Sequence, residues 1–213
     1  DFNKDHEPGG TCTVANSTTY EYHIGNVGTS DIRYNITNNI YFASTVTKIK
    51  FTPKNSTSIV NLFNVITSTT FMNLSFIIDL NEVGSIETNS LDNTFGFFAN
   101  TIVSSVFENC SFTFTQTSGS LSVAPTSGDN YVSTMGFVAG MASNTVFQGC
   151  PVDYDIDSAI QMQHNIIQFG GYAGVSFQST FVDSYINGNL SISYSDTMSG
   201  LNIDESEHSF GGF

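Results

Sequence analysis

Three carboxylates at alternate positions are the first candidates for chemistry in this sequence. Asp153, Asp155 and Asp157 occur in the stretch PVDYDIDS, and alternate residues of a β-strand point to one side. Carboxylates on such a face could hold Ca²⁺, or act as general acid and base on a polysaccharide. The alternative is a solvated acidic stripe, because no Lys or Arg lies nearby to neutralise an acidic sugar. We keep the trio as a calcium candidate and predict no catalytic residues and no enzyme activity.

The other metal and catalytic patterns are incomplete. The opening DFNKDHE spaces oxygen ligands like a calcium loop, but His6 stands where the turn glycine belongs and position twelve is not acidic. The four histidines are scattered without metal-ligand spacing. Hydrolase and nucleotide-binding motifs do not occur, so we expect no cofactor apart from the calcium considered above.

The three cysteines allow two interpretations. Cys110 and Cys150 occupy equivalent positions of two similar segments, so stacking those segments would bring their Cα atoms near the range of a disulfide. Side-by-side Cβ atoms give a poor dihedral angle for such a bridge, and buried free thiols are the alternative. Cys12 is left over, either free or paired with a neighbouring chain.

Asn-X-Ser/Thr sequences make N-linked glycans a further prediction. They occur six times, a number close to chance in a chain this rich in Ser, Thr and Asn, at Asn16, Asn35, Asn55, Asn73, Asn109 and Asn189. Asn73 and Asn109 hold the same position in two similar segments. Strand alternation points both outward, so we predict neighbouring glycans on one face.

A repeat positions all these residues. Four segments align: 64–80, 96–115, 136–156 and 170–192, and SFGGF at 209–213 begins a fifth. Their anchor is a phenylalanine, spaced by 36, 40 and 34 residues, at Phe71, Phe107, Phe147 and Phe181. Behind each anchor apolar and polar residues alternate, which indicates strands with one buried face. Each unit reads as three short strands joined by corners, with long loops at 116–135 and 157–168.

Such units cannot bury their apolar faces alone, but stacked units can. We therefore predict an all-β fold, a β-solenoid (parallel β-helix) of four to five turns of 34–41 residues, with the four anchors in one internal ladder. A β-sandwich with similar strands is the rival fold. Residues 1–45 match the repeat poorly and are predicted to be an N-terminal cap or adaptor, with solenoid repeats over 46–213.

Charge restricts the partners. All five Lys and Arg residues lie within the first 54 positions, and fourteen Asp and Glu follow without any basic residue. An acidic surface repels phosphate, so we expect neither nucleic acid nor an anionic membrane as partner. No apolar run is long enough to span a bilayer, so membrane insertion is not expected.

Several stretches resemble the GLUG-type repeat, in which Gly-Gly-aromatic-Val-Gly precedes Asn-Cys-Tyr. GFVAG at 136–140 and GGYAG at 170–174 match the first half, and ENCSF at 108–112 matches the second. A weaker likeness links the Phe-led segments to the repeats of polymorphic surface proteins. The resemblance covers about 60–213 and implies an extracellular or cell-surface β-solenoid without catalytic residues.

These observations predict a structural surface protein. The unfinished fifth repeat leaves an open strand edge, so either a longer protein or another chain supplies the rest. Head-to-tail stacking of identical chains would give a filament. We expect an extracellular, fibril-forming glycoprotein, with a homo-oligomer or filament as its assembly. The alternatives are an adhesin or carbohydrate-binding module, whose partners would be carbohydrate or other surface proteins, and, third, a polysaccharide-acting enzyme.

Overall fold

The computed structural model describes residues 11–16, 19–24, 34–53, 61–81, 85–88, 94–119, 121–125, 134–157, 159–163, 168–195 and 209–211. This part of the chain is all-β, without a helix, and its strands pair mostly in parallel. It consequently contains no helix that is long and apolar enough to cross a membrane. Among the predicted sites, Asn55 and the DFNKDHE stretch lie outside the described residues.

The strands follow one another in sets that we call repeats. A hairpin precedes them: β1 (Thr11–Asn16) and β2 (Thr19–Ile24). Repeat 1 has β3 (Tyr34–Thr37) and β4 (Ile40–Pro53); repeat 2 has β5 (Phe63–Thr67), β6 (Thr70–Asp79) and β7 (Ser85–Thr88). Repeat 3 has β8 (Thr94–Gly96), β9 (Ala99–Val103), β10 (Val106–Glu108), β11 (Ser111–Gln116) and β12 (Ser122–Pro125). Repeat 4 has β13 (Thr134–Gly136), β14 (Ala139–Ser143), β15 (Val146–Gln148), β16 (Val152–Ile156) and β17 (Ile160–Gln163). Repeat 5 has β18 (Gln168–Gly170), β19 (Ala173–Phe177), β20 (Thr180–Val182), β21 (Ile186–Asn187) and β22 (Ile192–Ser195), and β23 (Ser209–Gly211) follows.

Each strand pairs with its counterpart in the next repeat, so four sheets run across the repeats. Sheet 1 has the order β1-β2-β4-β6-β10-β15-β20. A branch of the same sheet starts at the second half of β6, where β11 pairs with β6, β16 with β11, and β21 with β16. Sheet 2 has the order β3-β5-β9-β14-β19, sheet 3 has β7-β12-β17-β22, and sheet 4 has β8-β13-β18-β23. We call residues that share a position in successive repeats a column. Only the β1–β2 hairpin is antiparallel among the described pairs.

Residues with positive φ lie on both sides of each anchor. One set lies three positions before each anchor: Asn38, Ser68, Ser104, Asn144 and Gln178. The other lies two positions after it: Asn73, Asn109, Gly149 and Asp183. Glycine and asparagine tolerate this left-handed backbone better than most residues. The first set turns the chain from sheet 2 into sheet 1, and the second set forms a corner within sheet 1, where Asn73 lies inside the continuous strand β6.

The core is a set of columns of apolar side chains. Phe71 stacks on Phe107 with 4.7 Å between ring centroids, and Phe107 stacks on Phe147 at 4.9 Å. Phe147 then stacks on Phe181 at 5.2 Å. Tyr41 adds a first ring, 5.1 Å from Phe71. Since the strand spacing is about 4.8 Å, in-register pairing alone places these rings in offset stacking contact.

A glycine column brings sheet 4 and sheet 2 close together. A Cβ atom on Gly136 would overlap with the carbonyl oxygen of Ala139 and lie against the backbone nitrogen of Gly174 in the next repeat. Gly96 has the same surroundings one repeat earlier, formed by Ala99 and Gly140. The Gly-aromatic-X-Ala pattern of the sequence therefore marks a backbone approach that excludes any side chain.

The structure differs from the sequence-based expectation in two respects. Repeats 3 to 5 each have five strands rather than three: positive-φ residues separate the anchor strand from the strands before and after it, and the last strand of repeats 3 and 4 lies in a predicted loop. The predicted loops also contain strands, since β12 lies within 116–135 and β17 within 157–168, paired in sheet 3. The boundary at 45/46 stays a prediction, although β4 crosses it and pairs with β6 on both sides.

Candidate functional site

The three aspartates predicted as a calcium site lie on the outward side of sheet 1. Asp153 is half-buried, whereas Asp155 and Asp157 are exposed. Asp155 is paired with Thr115, and Asn187 donates a hydrogen bond of 3.1 Å to the Oδ1 atom of Asp153. Within the described residues, no group of three or more Asp, Glu, His or Cys residues could hold a metal ion. The geometry therefore gives the calcium candidate no support.

Cys110 and Cys150 are buried free thiols in adjacent repeats. The Sγ atom of Cys150 donates to the carbonyl oxygens of Gln148, at 3.3 Å, and Phe107, at 3.4 Å. The hydrogen bond with the Cys110 thiol, together with burial, raises the pKa of Cys150, so that this group stays protonated at neutral pH. The pair thus fills the core as small hydrogen-bonded groups. Cys12 lies in β1, and its side chain is outside the described residues.

A hydroxyl takes the place of the thiol in the next repeat. Ser184 donates through Oγ to the carbonyl oxygens of Phe147 and Val182, both at 3.1 Å. Its Oγ atom also accepts from the backbone N–H of Cys150 at 3.1 Å. Cys150 and Ser184 thus make the same kind of contact at this corner: a small side-chain donor that reaches two backbone carbonyl oxygens.

The predicted glycosylation sites have different surroundings. Asn35 lies exposed in β3, and Asn189 lies exposed after β21. Asn16 ends β1, and its side chain is outside the described residues. Asn73 and Asn109 hold the corner after the anchor strand, with φ of 58° and 51°. Backbone conformation is therefore a sufficient reason for asparagine at these two corners.

A column of hydroxyl side chains two positions before the anchor was not predicted from the sequence. Thr69, Ser105 and Thr145 are buried, and each donates to the carbonyl oxygen two residues earlier, at 2.8–3.0 Å. Each hydroxyl oxygen of this column from Ser105 to Ser179 also accepts a hydrogen bond of 3.2–3.5 Å from the backbone N–H of the column member one repeat earlier. The three pairs are Thr69 to Ser105, Ser105 to Thr145, and Thr145 to Ser179. The repeated Ser or Thr at this offset was the available signal. Its role as an acceptor for the preceding repeat could not be predicted from a single segment, because the donor N–H lies in another repeat.

The two ends of the stack expose large apolar side chains. Ile40 and Phe42 lie in repeat 1, and Phe177, Val182 and Tyr185 lie in repeat 5. Phe42 is 62% exposed, whereas Val106, the one such residue described in a middle repeat, is 36% exposed. Strands β19, β20 and β21 each have a described partner on one side only. Unpaired backbone groups beside exposed apolar residues are typical of a surface that pairs with another strand.

The ends are not equivalent. Strand β2 pairs with the second half of β4, and β1 covers β2 in the antiparallel direction. Through the pairings of sheet 1, Tyr20 shares a column with Ile186, so β2 occupies the position that β21 of a stacked second copy would take. Strand β3 and the Ile40–Phe42 segment have no such cover among the described strands.

Comparisons with family models, with curated proteins and with solved structures found no match. The GLUG-type resemblance therefore stays a prediction.

Proposed function

We propose that the repeats form a β-solenoid with the β1–β2 hairpin as its N-terminal cap, and that the chain is a structural, extracellular surface glycoprotein. The observation that carries this proposal is the aromatic column, which continues in register from Tyr41 through Phe71 and Phe107 to Phe147 and Phe181. In such a stack each repeat contacts only the repeats before and after it, so each is stabilised mainly by its neighbours. This architecture suits a rigid spacer or fibre.

The outward surface supports an extracellular location. Outward positions of sheet 2 and of the anchor strands carry mostly Thr, Ser, Val, Met and Gln rather than charges. In these columns, among the described residues, Glu108 is the one charged side chain: Asn35, Val65, Thr101, Met141 and Val175; Thr37, Thr67, Val103, Ser143 and Phe177; Ile40, Thr70, Val106, Val146 and Thr180; Phe42, Met72, Glu108, Gln148 and Val182. Eight of these twenty side chains carry a hydroxyl or an amide, the groups that are typical of secreted β proteins, and eleven are apolar.

The proposal includes head-to-tail assembly, for which the charge distribution is evidence. The first 54 residues carry five basic and five acidic groups, a net charge of zero, and residues 55–213 carry fourteen acidic groups, a net charge of −14. Two acidic ends that face one another would repel, whereas a neutral end against an acidic end would not. Head-to-tail contact is therefore favoured over a symmetric contact of two repeat-5 ends.

The proposed contact joins β19 and β20 of one copy to β3 and the Ile40–Phe42 segment of the next. Parallel pairing would place Phe42 beside Val182 and Tyr41 over Phe181, in the columns that these residues already share within one chain. The hairpin and β21 compete for one position in this arrangement. Strand β21 has two residues, fewer than any other described strand, and is the element that gives way.

Sedimentation velocity and negative-stain electron microscopy over a range of concentrations test the assembly. Full-length protein is expected to form linear oligomers, and Phe42→Lys or Val182→Lys should each abolish them. The matched control is Val106→Lys, an outward residue of the same sheet in a middle repeat, which should assemble normally.

Mixing the two variants tests the direction of the contact. Each variant keeps one competent end, so an equimolar mixture should give dimers and nothing longer. Monodisperse single particles of the unmodified protein at high concentration would contradict assembly itself. Assembly of both variants into long oligomers would contradict this choice of strands.

A carbohydrate-binding adhesin is the second candidate function. The observation that favours it is the nearly uncharged outward face of sheet 2 and the anchor strands, which suits a neutral sugar polymer better than a charged one. A glycan array probed with the protein and with Thr101→Lys, a change in the middle of that face, separates the two functions. Binding that the substitution removes would favour the adhesin.

A further inference from the structure

The corner after the anchor strand forms a column in which two glycosylation sequences lie side by side. Its members are Asn73, Asn109, Gly149 and Asp183 of repeats 2 to 5, and Ala43 of repeat 1 contacts Asn73 at the register shift of β4. Adjacent members of a column are separated by about the strand spacing of 4.8 Å. Two sugars attached to adjacent positions would occupy the same space, so this column has room for one glycan rather than the two that the sequence suggests.

The two asparagines differ in what surrounds their side chains. Asn73 is half-buried, and its Nδ2 atom donates a hydrogen bond of 2.8 Å to the carbonyl oxygen of Ala43 in the preceding repeat. Asn109 is exposed. Its neighbour on the following side is Gly149, where a Cβ would lie only 3.0 Å from Oδ1 of Asn109, so a larger residue there would crowd this side chain. The nitrogen that would carry a sugar is thus engaged in Asn73 and accessible in Asn109.

We propose that Asn109 is the N-glycosylated residue of this column in the folded protein, and that folded chains carry an unmodified Asn73 because its amide is a structural donor. This inference rests on the proposed extracellular function, since the modification requires passage through a secretory compartment. The donor is an oligosaccharide linked to a polyprenyl diphosphate. The Nδ2 atom bonds to the anomeric carbon, the bond from that carbon to the diphosphate oxygen breaks, and the amide loses one proton while polyprenyl diphosphate leaves.

Folding determines which modified chains persist. Sugars are attached while the chain is unfolded, so both sequences are available to the transferase. A chain modified at Asn73 must then accommodate the sugar against Ala43 and beside Asn109, or lose the hydrogen bond that joins repeats 1 and 2. A sugar on Asn109 extends from an exposed corner. The folded, secreted protein is consequently enriched in the Asn109 glycoform.

The chain offers a matched pair of variants for the test. Ser75→Ala removes the acceptor sequence of Asn73, and Ser111→Ala removes that of Asn109. The two serines hydrogen-bond to each other, Oγ to Oγ at 2.8 Å, so each variant loses the same internal contact. Secreted full-length protein from a eukaryotic host is analysed by intact mass before and after enzymatic deglycosylation, and by glycopeptide mapping.

We expect Ser111→Ala to lose one glycan and Ser75→Ala to lose none. Occupancy of Asn73 in folded secreted protein, or loss of a glycan in Ser75→Ala alone, would overturn the inference. Glycans on Asn35 or Asn189 with Asn109 bare would overturn the inference and leave the proposed function standing. A secreted protein without any glycan would contradict both.

Discussion

The aromatic column makes a prediction about how stability is distributed along the stack. Phe107 is fully buried and stacks on Phe71 at 4.7 Å and on Phe147 at 4.9 Å. Phe181 is half-buried at the end of the column and stacks on Phe147 alone within it. Replacement by alanine removes the same atoms in both cases. The change in the free energy of unfolding should therefore report position in the stack.

The magnitudes follow from burial and from the number of stacked rings. Truncation of a buried phenylalanine to alanine costs about 3–5 kcal/mol, including the cavity that is left. Each stacked pair adds about 0.5–1.5 kcal/mol beyond burial, and Phe107 loses two of them. Phe107→Ala should thus cost about 4–8 kcal/mol. Phe181→Ala, with partial burial and one stacked partner, should cost about half as much.

Urea unfolding followed by far-UV circular dichroism measures both values, since the chain has no tryptophan for fluorescence. Val106→Ala is the control, because this side chain is partly exposed on the same strand as Phe107, and it should change stability by about 0.5 kcal/mol or less. An equal or larger loss for Phe181→Ala than for Phe107→Ala would refute the reasoning. It would mean that the rings do not form one continuous internal column.

Three further predictions follow from single contacts. Gly136→Ala should prevent folding, seen as loss of the β-sheet signal in far-UV circular dichroism, because its Cβ would overlap with backbone atoms that cannot move separately. Gly119→Ala is the control: its Cβ would lie 3.8 Å from the nearest atom but at a positive φ of 79°, so it should lower stability by only about 1 kcal/mol, as measured by urea unfolding. Ser105→Ala should cost about 1–3 kcal/mol because a buried N–H from the preceding repeat loses its acceptor, and loss of hydrogen-exchange protection at that amide would verify the cause. Burial acts to raise the pKa of the Asp79 carboxyl. Hydrogen bonds from Lys50 and Asn81 and the positive charge of Lys50, 2.8 Å away, outweigh it and hold this pKa below the ordinary value. A carboxyl with a lowered folded-state pKa stabilises above its unfolded pKa, so this contribution should vanish as pH falls below about 4, and Asp79→Asn should flatten the stability profile there.

The repeat and its strand alternation could be predicted from sequence because both are local properties. The buried residues Phe112 and Phe114 alternate with Ser111, Thr113 and Thr115 within one segment, and this pattern predicts a strand with one apolar, buried face. The spacing of the anchors also indicates which residues share a column. The number of strands in each repeat was not predictable, since the divisions depend on single residues with positive φ such as Ser104.

The candidate sites were less predictable than the fold. Asn73 and Asn109 have identical local patterns, and strand alternation predicted the same outward direction for both. Only the neighbouring repeat distinguishes them, because Ala43 accepts from one amide and Gly149 leaves room beside the other. The aspartates at 153–157 were likewise grouped by alternation alone.

The amino-acid sequence by itself determined the all-β class, the strand periodicity and the identity of the stacked columns, because a residue's own neighbours carry that information. The tertiary structure decided which thiols, hydroxyls and amides meet, and which end of the stack the hairpin covers. Those contacts join residues about 30 to 43 positions apart, and they exist only after parallel pairing brings the repeats to within about 5 Å of one another.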